Sequence, residues 1–130
     1  MVDYYTNHHQ LNNLIWVWNA PNPEWYPGDD YVDIAGVDIY VPSGNYGPIK
    51  MAFDYAAELT NFQKPIALTE NGPIPDPDKL IATQTPWLWY MPWYGEFVTG
   101  GKSTTVEHLK KVYDHPYCIT LDQLPDLKTY

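Results

Sequence analysis

Glu70 is the residue whose type and position are best suited to chemistry. It follows the apolar run Ile66–Thr69, which predicts a short buried strand, and Gly72 keeps the backbone beyond it accessible. A carboxylate held at the end of an apolar strand is preorganised for nucleophilic attack or for proton transfer. A strand-end glutamate that pairs with a surface cation has the same sequence pattern, so the residues alone leave both interpretations open.

Polar and aromatic residues also end the other predicted strands. Asp38 and Tyr40 are one residue apart, so they point to the same side of their strand, where a phenol can donate to a carboxylate. Trp18 and Trp93 offer flat apolar surfaces on which a sugar ring can stack. A tyrosine or tryptophan that simply packs in the core is the competing interpretation for each of these residues.

The overall composition favours a neutral ligand over a charged one. The chain has 130 residues, of which 16% are aromatic, including six Trp, and its net charge is -9. Phosphate binding needs clustered cations, so nucleic acid is not expected as a partner. An aromatic surplus with acidic charge fits a polyhydroxylated ligand such as a sugar, although a core rich in Tyr and Trp would give the same composition.

Several kinds of site have no support in the sequence. Cys118 is the only cysteine, which excludes an internal disulfide and a cysteine-built zinc site. The acidic loops at 29–30 and 76–78 lack the twelve-residue calcium loop and glycine-rich phosphate motifs are missing, so no metal and no cofactor are expected. No apolar run approaches the roughly 20 residues of a membrane span, and no signal peptide is visible.

Apolar periodicity and turn residues divide the chain into alternating strands and helices. Strands are predicted at Leu14–Trp18, Val32–Tyr40, Ile66–Glu70 and Trp87–Trp93. Helices are predicted at Ile49–Leu59, over one or two turns at 79–84, and from Ser103 or Thr104 to about Tyr113, followed by an irregular tail from Pro116 to Tyr130.

The strands and their connections define the expected fold class. Three of the strands are nearly continuous apolar runs, which is typical of strands buried on both faces of a parallel α/β sheet. A complete (β/α)8 barrel takes about 250 residues, so four βα units in 130 residues amount to half of one. The residues alone therefore predict one domain over 1–130 that is either half a TIM barrel or a small open α/β sheet.

Four stretches of the chain together resemble a known family of enzymes. They are Asn13–Trp18, Tyr26–Tyr40, Ile66–Asp78 and Trp89–Phe97, and they occur in the order in which that family has them. The family is glycoside hydrolase family 26, and the stretches look most like those of its bacterial endo-β-1,4-mannanases. The resemblance implies that residues 1–130 are the C-terminal half of a (β/α)8 catalytic domain, with barrel strands five to eight.

The resemblance also implies a role for each candidate residue. Family members are retaining hydrolases that use two glutamates, and Glu70 matches the nucleophile at the end of strand seven. Tyr40 and Asp38 match the residues of strand six that contact the nucleophile and the sugar. Trp93 matches the aromatic floor of the site after strand eight, and Trp18, at the end of the first strand, is expected to be a further substrate contact.

One part of the family pattern is missing from the sequence. The acid/base glutamate and the histidine before it belong to strand four, which would lie upstream of Met1, and no Trp-rich His-Glu motif occurs in the chain. A retaining glycosidase needs both carboxyl groups, so this chain alone is expected to be inactive or weak. Its open sheet edges are expected to pair with a complementary half barrel or with a second copy.

Other functions remain open at this stage. A carbohydrate-binding module could bind mannan through the same aromatic residues without cleaving it. A third possible function is an interaction module that has no ligand. For the hydrolase, the resemblance implies mannan or a related β-glycan as substrate and a secreted, cell-surface or periplasmic location.

Overall fold

The computed structural model describes residues 1–19, 21–99 and 101–126. Its strands are β1 (Val17–Asn19), β2 (Ile34–Ile39), β3 (Ile66–Asn71) and β4 (Tyr90–Pro92), and its α-helices are α1 (Lys50–Leu59), α2 (Pro77–Thr83) and α3 (Val106–Asp114). Single turns of 3-10 helix lie at Pro23–Trp25, Asp29–Tyr31, Gly95–Phe97 and Leu121–Gln123, and a π-helical turn at Tyr4–His8. Within these residues no helix has the length and apolar character needed to cross a membrane.

The four strands form one sheet, in the order β1-β2-β3-β4, and every neighbouring pair is parallel. The predicted parallel α/β sheet is therefore confirmed. Because all four strands run in the same direction, their carboxyl ends meet at one edge of the sheet. The register pairs Gly36 with Asn19 and, after a shift between Val37 and Asp38, pairs Asp38 with Glu70.

Helix α1 packs against one face of the sheet. Ala56 and Ala57 are buried in a core cluster with Ala35, Val37 and Leu68, and their small side chains let the helix approach the strands closely. The predicted apolar face of this helix is confirmed, since the partly buried Ile49, Ala52 and Phe53 pack against the same cluster. The polar side chains of the candidate site lie where β1, β2 and β3 end.

The two outer strands are shorter than the sequence predicts. The prediction of a strand over Trp87–Trp93 is wrong at its start, because β4 begins at Tyr90. Trp87 instead packs edge-on against Phe53, with ring centres 5.1 Å apart, and its indole N–H donates to the Pro48 carbonyl at 2.9 Å. An outer strand pairs on one side only, so an apolar residue at its end can turn into the core instead of extending the ladder.

The first strand is shortened in the same way. It begins at Val17, and the preceding residues Leu14 and Ile15 are exposed. The backbone N–H of Trp16 donates to the carboxylate of Asp33 at 2.7 Å, while its carbonyl accepts from the backbone N–H groups of Asp33 and Ile34. A side-chain contact thus replaces one of the regular ladder bonds here.

The last helix also begins later than predicted. Thr105 is its N-cap and accepts a hydrogen bond from the backbone N–H of His108, whereas Ser103 or Thr104 was the predicted cap. Thr104 is fully buried, and its hydroxyl instead accepts from the Ile74 backbone N–H at 3.3 Å. Helix α2 begins at Pro77, two residues earlier than predicted, because Asp76 caps it. The tail from Pro116 has only the turn at Leu121–Gln123, and its last residues, 127–130, lie outside the described ones.

A cationic side chain joins α2 to α3. The Lys111 ammonium donates to Asp76 at 2.8 Å and lies 2.7 Å from Asp78. Burial raises the pKa of Asp76, but the hydrogen bonds from Lys111 and from the Asp78 backbone outweigh it and leave that pKa lowered. Hydrogen bonds from Lys111 and His115 lower the pKa of Asp78. These carboxylates therefore stabilise the fold above the ordinary carboxyl pKa, and that contribution is lost as the pH falls through the lowered values.

Replacing Lys111 with Met tests this link between the helices. Met keeps the apolar stem and removes the charge, so the variant is expected to be less stable at neutral pH and to lose less stability below about pH 4. Free energies of unfolding in urea, measured from pH 7 to pH 3, check this. Lys50→Met is the matched control, since among the described residues Lys50 pairs only with Asp54, on the surface of α1. Equal pH dependence in the two variants would contradict the prediction.

Candidate functional site

Glu70 and Tyr40 meet where β3 and β2 end. Tyr40 directly follows β2, and its hydroxyl donates to Glu70 Oε1 at 2.5 Å. Tyr40 is 47% exposed and Glu70 is partly exposed, so a ligand can reach both. The contact expected between these two side chains is therefore present, and it aims a neutral donor at a carboxylate oxygen.

The Tyr40 phenol stays protonated far above neutral pH. Its hydrogen bond to Glu70, together with partial burial, raises the pKa of Tyr40 to about 12. Because this pKa lies above the ordinary value of 10.0, the hydrogen bond is fully formed below that pH and is lost as the pH rises through about 12. Tyr40 is thus a donor to Glu70 over the whole physiological range.

Three polar side chains form a network beside Glu70. Asp38, the register partner of Glu70, accepts through Oδ2 from the Asn19 amide at 2.8 Å. The Thr69 hydroxyl lies 2.9 Å from Asp38 Oδ1 and 2.8 Å from Asn19 Oδ1, and it shares its single hydrogen between these acceptors. The network ties together the ends of β1, β2 and β3 directly before Glu70, while both oxygens of Asp38 are occupied as acceptors.

Gly36 makes room for this network. A Cβ at position 36 would lie 2.5 Å from Cγ2 and 2.7 Å from Oγ1 of Thr69, and 3.2 Å from Asn19 Oδ1. Real Cβ atoms do not approach other atoms this closely, so a side chain here would displace Thr69. Glycine is needed at this position for close approach between side chain and backbone.

Replacing Gly36 with Ala is therefore expected to destabilise the chain by about 1–3 kcal/mol, the usual cost of overpacking. The free energy of unfolding in urea measures the effect. Gly47→Ala is the control, because a Cβ there would meet only the end of the Asn45 side chain at 3.1 Å. A Gly36→Ala protein as stable as the control would show that the strand ends are not tightly packed.

The two predicted tryptophan contacts lie in different surroundings. Trp93 directly follows β4, is 41% exposed, and its backbone N–H donates to the Asn71 carbonyl at 2.8 Å. Trp18 packs against the core cluster and edge-on against Tyr26, with ring centres 4.9 Å apart. Its neighbour Asn19 points to the network on the opposite face. The role of Trp18 as a substrate contact stays a prediction that this placement does not favour.

The sequence reasoning missed the supporting residues Asn19 and Thr69, although each lies at the end of a predicted strand. Nor does His108 stand out in the sequence. The structure buries His108, stacks it on Tyr46 with ring centres 3.6 Å apart, and places its Nε2 2.9 Å from the Ile74 carbonyl. Burial lowers the pKa of His108, against the opposing effect of that hydrogen bond. The one available signal was its position in the first turn of a capped helix.

The site is equipped for carboxylate chemistry. Across the residues the structure describes, no three His, Cys, Asp or Glu side chains are grouped so that they could hold a metal ion. Glu96, which lies beyond β4, pairs with Lys102 at 3.2 Å and is exposed. What the arrangement offers is one partly exposed carboxylate that accepts a hydrogen bond from a phenol, at the strand ends after which an exposed tryptophan also follows β4.

The chain matches a protein-family model and longer proteins of that family. The model described as glycosyl hydrolase family 26 matches residues 1–123. A mannan endo-1,4-beta-mannosidase of Thermothelomyces thermophilus is 43% identical over 124 residues, which are 95% of this chain and 25% of that protein. The chain therefore spans about a quarter of the length of that curated relative.

The chain also matches fragments of longer solved structures. The chain matches a GH26-CBM35 beta-(1,4)-mannanase of Podospora anserina with a TM-score of 0.89 and 39% identity, covering 95% of this chain and 28% of that one. It matches a beta-mannanase from a symbiotic protist of the termite Reticulitermes speratus with a TM-score of 0.86 and 34% identity, covering 95% and 38%. The predicted fold class is confirmed, because the sheet corresponds to a fragment of these longer chains.

Proposed function

The chain belongs to glycosyl hydrolase family 26, and we propose that it supplies the nucleophile half of a retaining endo-β-1,4-mannanase. The observation that carries this proposal is the hydrogen bond from Tyr40 to Glu70 where the parallel strands end. The relatives of highest identity quoted above are named mannanases, which supports mannan as the substrate class. Such a polysaccharide lies outside cells, so we also propose that the protein acts after export.

In the proposed reaction, Glu70 attacks the anomeric carbon of a mannosyl unit. The bond to the leaving oxygen breaks as an acid protonates that oxygen, and a mannosyl ester of Glu70 remains. Water, deprotonated by the same group acting as base, then cleaves the ester and restores the carboxylate. Tyr40 holds Glu70 in position by donating to Oε1, which leaves the other oxygen available for attack, and Trp93 offers a flat surface to the sugar.

The acid/base carboxyl is proposed to come from a second half barrel. The sheet has two open edges, along β1 and β4, and parallel sheets are stable when edges and faces are covered. Pairing with an acid-bearing half would close eight strands and add the acid/base. Pairing with a second copy through both edges would also close eight strands, but it would not add the family's acid/base glutamate. In either assembly the carboxyl ends of all strands surround one cavity, where Glu70 lies.

The test is hydrolysis of β-1,4-mannan, with cellulose and xylan as competing substrates, by this chain combined with an acid-bearing half. Manno-oligosaccharide products with the β configuration, seen by proton NMR before mutarotation, support the proposal. Products of inverted configuration, or cleavage of cellulose or xylan in preference to mannan, contradict it.

A second candidate function is mannan binding without cleavage. It is favoured by the exposed ring of Trp93 and the 77% exposure of its neighbour Tyr94. This function requires affinity in the chain alone, with no second half present.

Replacing Trp93 with Ala separates the two functions. For a binding module, Trp93→Ala weakens mannan binding by the isolated chain by about 1–3 kcal/mol, the range found when an aromatic side chain that stacks on a nucleic-acid base is removed. Glu70→Gln leaves the affinity unchanged. Affinity electrophoresis in mannan gels measures both variants. For the hydrolase half, the isolated chain shows no measurable retardation even before substitution.

A further inference from the structure

The ring of Tyr40 has two neighbours besides Glu70. Phe97 lies edge-on to it, with ring centres 5.4 Å apart and planes inclined by 63°. The buried backbone of Gly72 lies against both rings, since a Cβ there would come within 3.3 Å of Tyr40 Cδ1 and 3.6 Å of Phe97 Cε1. A side chain at position 72 would therefore press against Tyr40 and contact Phe97.

Phe97 is presented to Tyr40 by a turn with its own internal hydrogen bonds. The Gly95 carbonyl accepts from the backbone N–H of Val98 at 3.1 Å and from the N–H and hydroxyl of Thr99, both at 2.8 Å. Gly95 has a φ of +69°, which glycine adopts without strain. This turn, residues 95–99, directly follows the segment that carries Trp93, so it is set in place where β4 ends.

Tyr40 needs such support because little else holds it. Its side chain is 47% exposed, and its hydroxyl makes one hydrogen bond among the described contacts, the one to Glu70. A half-exposed tyrosine without an aromatic neighbour can rotate about its side-chain bonds toward water, where its hydroxyl is solvated equally well. The ring of Phe97 and the Gly72 backbone beside it restrict that rotation.

We propose that Phe97 is a positioning residue of the site, whose ring keeps Tyr40 directed at Glu70. The inference deepens the proposed hydrolase function and rests on it for its consequence in catalysis, since a displaced Tyr40 would leave the nucleophile without its orienting donor. The packing itself is independent of any reaction. Gly72 acts in the same arrangement by leaving room for both rings.

The test follows the ionisation of Tyr40 by NMR of the full chain labelled with ¹³C at tyrosine Cζ. At about pH 10.5, a phenol with a pKa of about 12 is a few per cent ionised, whereas one with the ordinary pKa is about three-quarters ionised. Phe97→Ala is expected to convert Tyr40 from the mostly neutral form to the mostly ionised form at this pH. Phe97→Tyr, which restores a ring, is expected to return Tyr40 to the neutral form.

Two controls make the result specific. Phe62→Ala removes the same atoms from a side chain that is 71% exposed and distant in sequence, and Tyr40 should remain neutral in it. Tyr26 is an internal reference, because burial and its hydrogen bond to Asp29 raise its pKa to about 12 as well. Its signal should not change in Phe97→Ala.

The outcomes decide the proposal in either direction. A folded Phe97→Ala protein in which Tyr40 stays neutral at about pH 10.5 overturns it, as does a change that appears equally at Tyr26. If circular dichroism shows that Phe97→Ala is unfolded, Phe97→Leu is judged by the same criterion, because it keeps the apolar volume without the flat ring. The readout requires no hydrolysis, so failure of the proposed function would leave this result intact.

Discussion

Replacing Glu70 with Gln is expected to abolish mannan hydrolysis in the assembled protein, with a loss on the order of 10⁴-fold or more, as for other enzymes deprived of a covalent nucleophile. Gln keeps the shape of the side chain and an oxygen that can accept from Tyr40, so the site remains packed. An amide oxygen cannot form the stable ester that carries the sugar between the two steps of the reaction.

The ester itself provides the sharper measurement. An activated 2-fluoromannoside forms a glycosyl ester with a retaining nucleophile, and the fluorine slows its hydrolysis. We expect mass spectrometry to find the added sugar on the peptide that contains Glu70, and to find none in Glu70→Gln. Glu58→Gln is the matched control, since Glu58 is exposed on α1, the helix that packs against one face of the sheet. A label on any other residue would show that Glu70 is not the nucleophile.

The sheet was predictable because its strands are buried. Runs such as Ile66–Leu68 are apolar on both faces, and that pattern is rare outside parallel sheets. The ends of the outer strands were not predictable in the same way. Whether Trp87 extends β4 or turns into the core depends on Phe53 and on the Pro48 carbonyl, which belong to another part of the chain.

The reactive residues of the candidate site were predictable, but the residues that pack and hydrogen-bond around them were not. Glu70 and Tyr40 could be singled out because they end predicted strands, and the family resemblance then favoured their functional roles over ordinary surface pairing or core packing. Thr69 and Gly36 could not be singled out, because they matter through a contact between neighbouring strands. That contact depends on a register that shifts between Val37 and Asp38. A single sequence contains no record of that register, so such residues become visible only when the strands are placed side by side.

The other large expected effect is the dependence of mannan hydrolysis on a second, acid-bearing half barrel. The chain alone is expected to form neither product nor glycosyl ester, and an acid-bearing half should raise the rate by at least about 10²–10⁴-fold, the usual contribution of a positioned acid. A retaining site needs its two carboxyl groups about 5–5.5 Å apart, and Asp38 is occupied by Asn19 and Thr69. Rates of reducing-sugar release, with and without the added half, measure the effect.

The matched control is the same added half with its acid/base glutamate replaced by Gln. It should still cover the edges at β1 and β4, and light scattering should show one complex heavier than the 15.0 kDa chain, yet it should not restore hydrolysis. Assembly and acid catalysis are thereby separated, because the first depends on strand edges and the second on one proton. A chain that hydrolyses mannan at full rate as a 15.0 kDa monomer would contradict both requirements, since the carboxyl groups of one open sheet would then suffice.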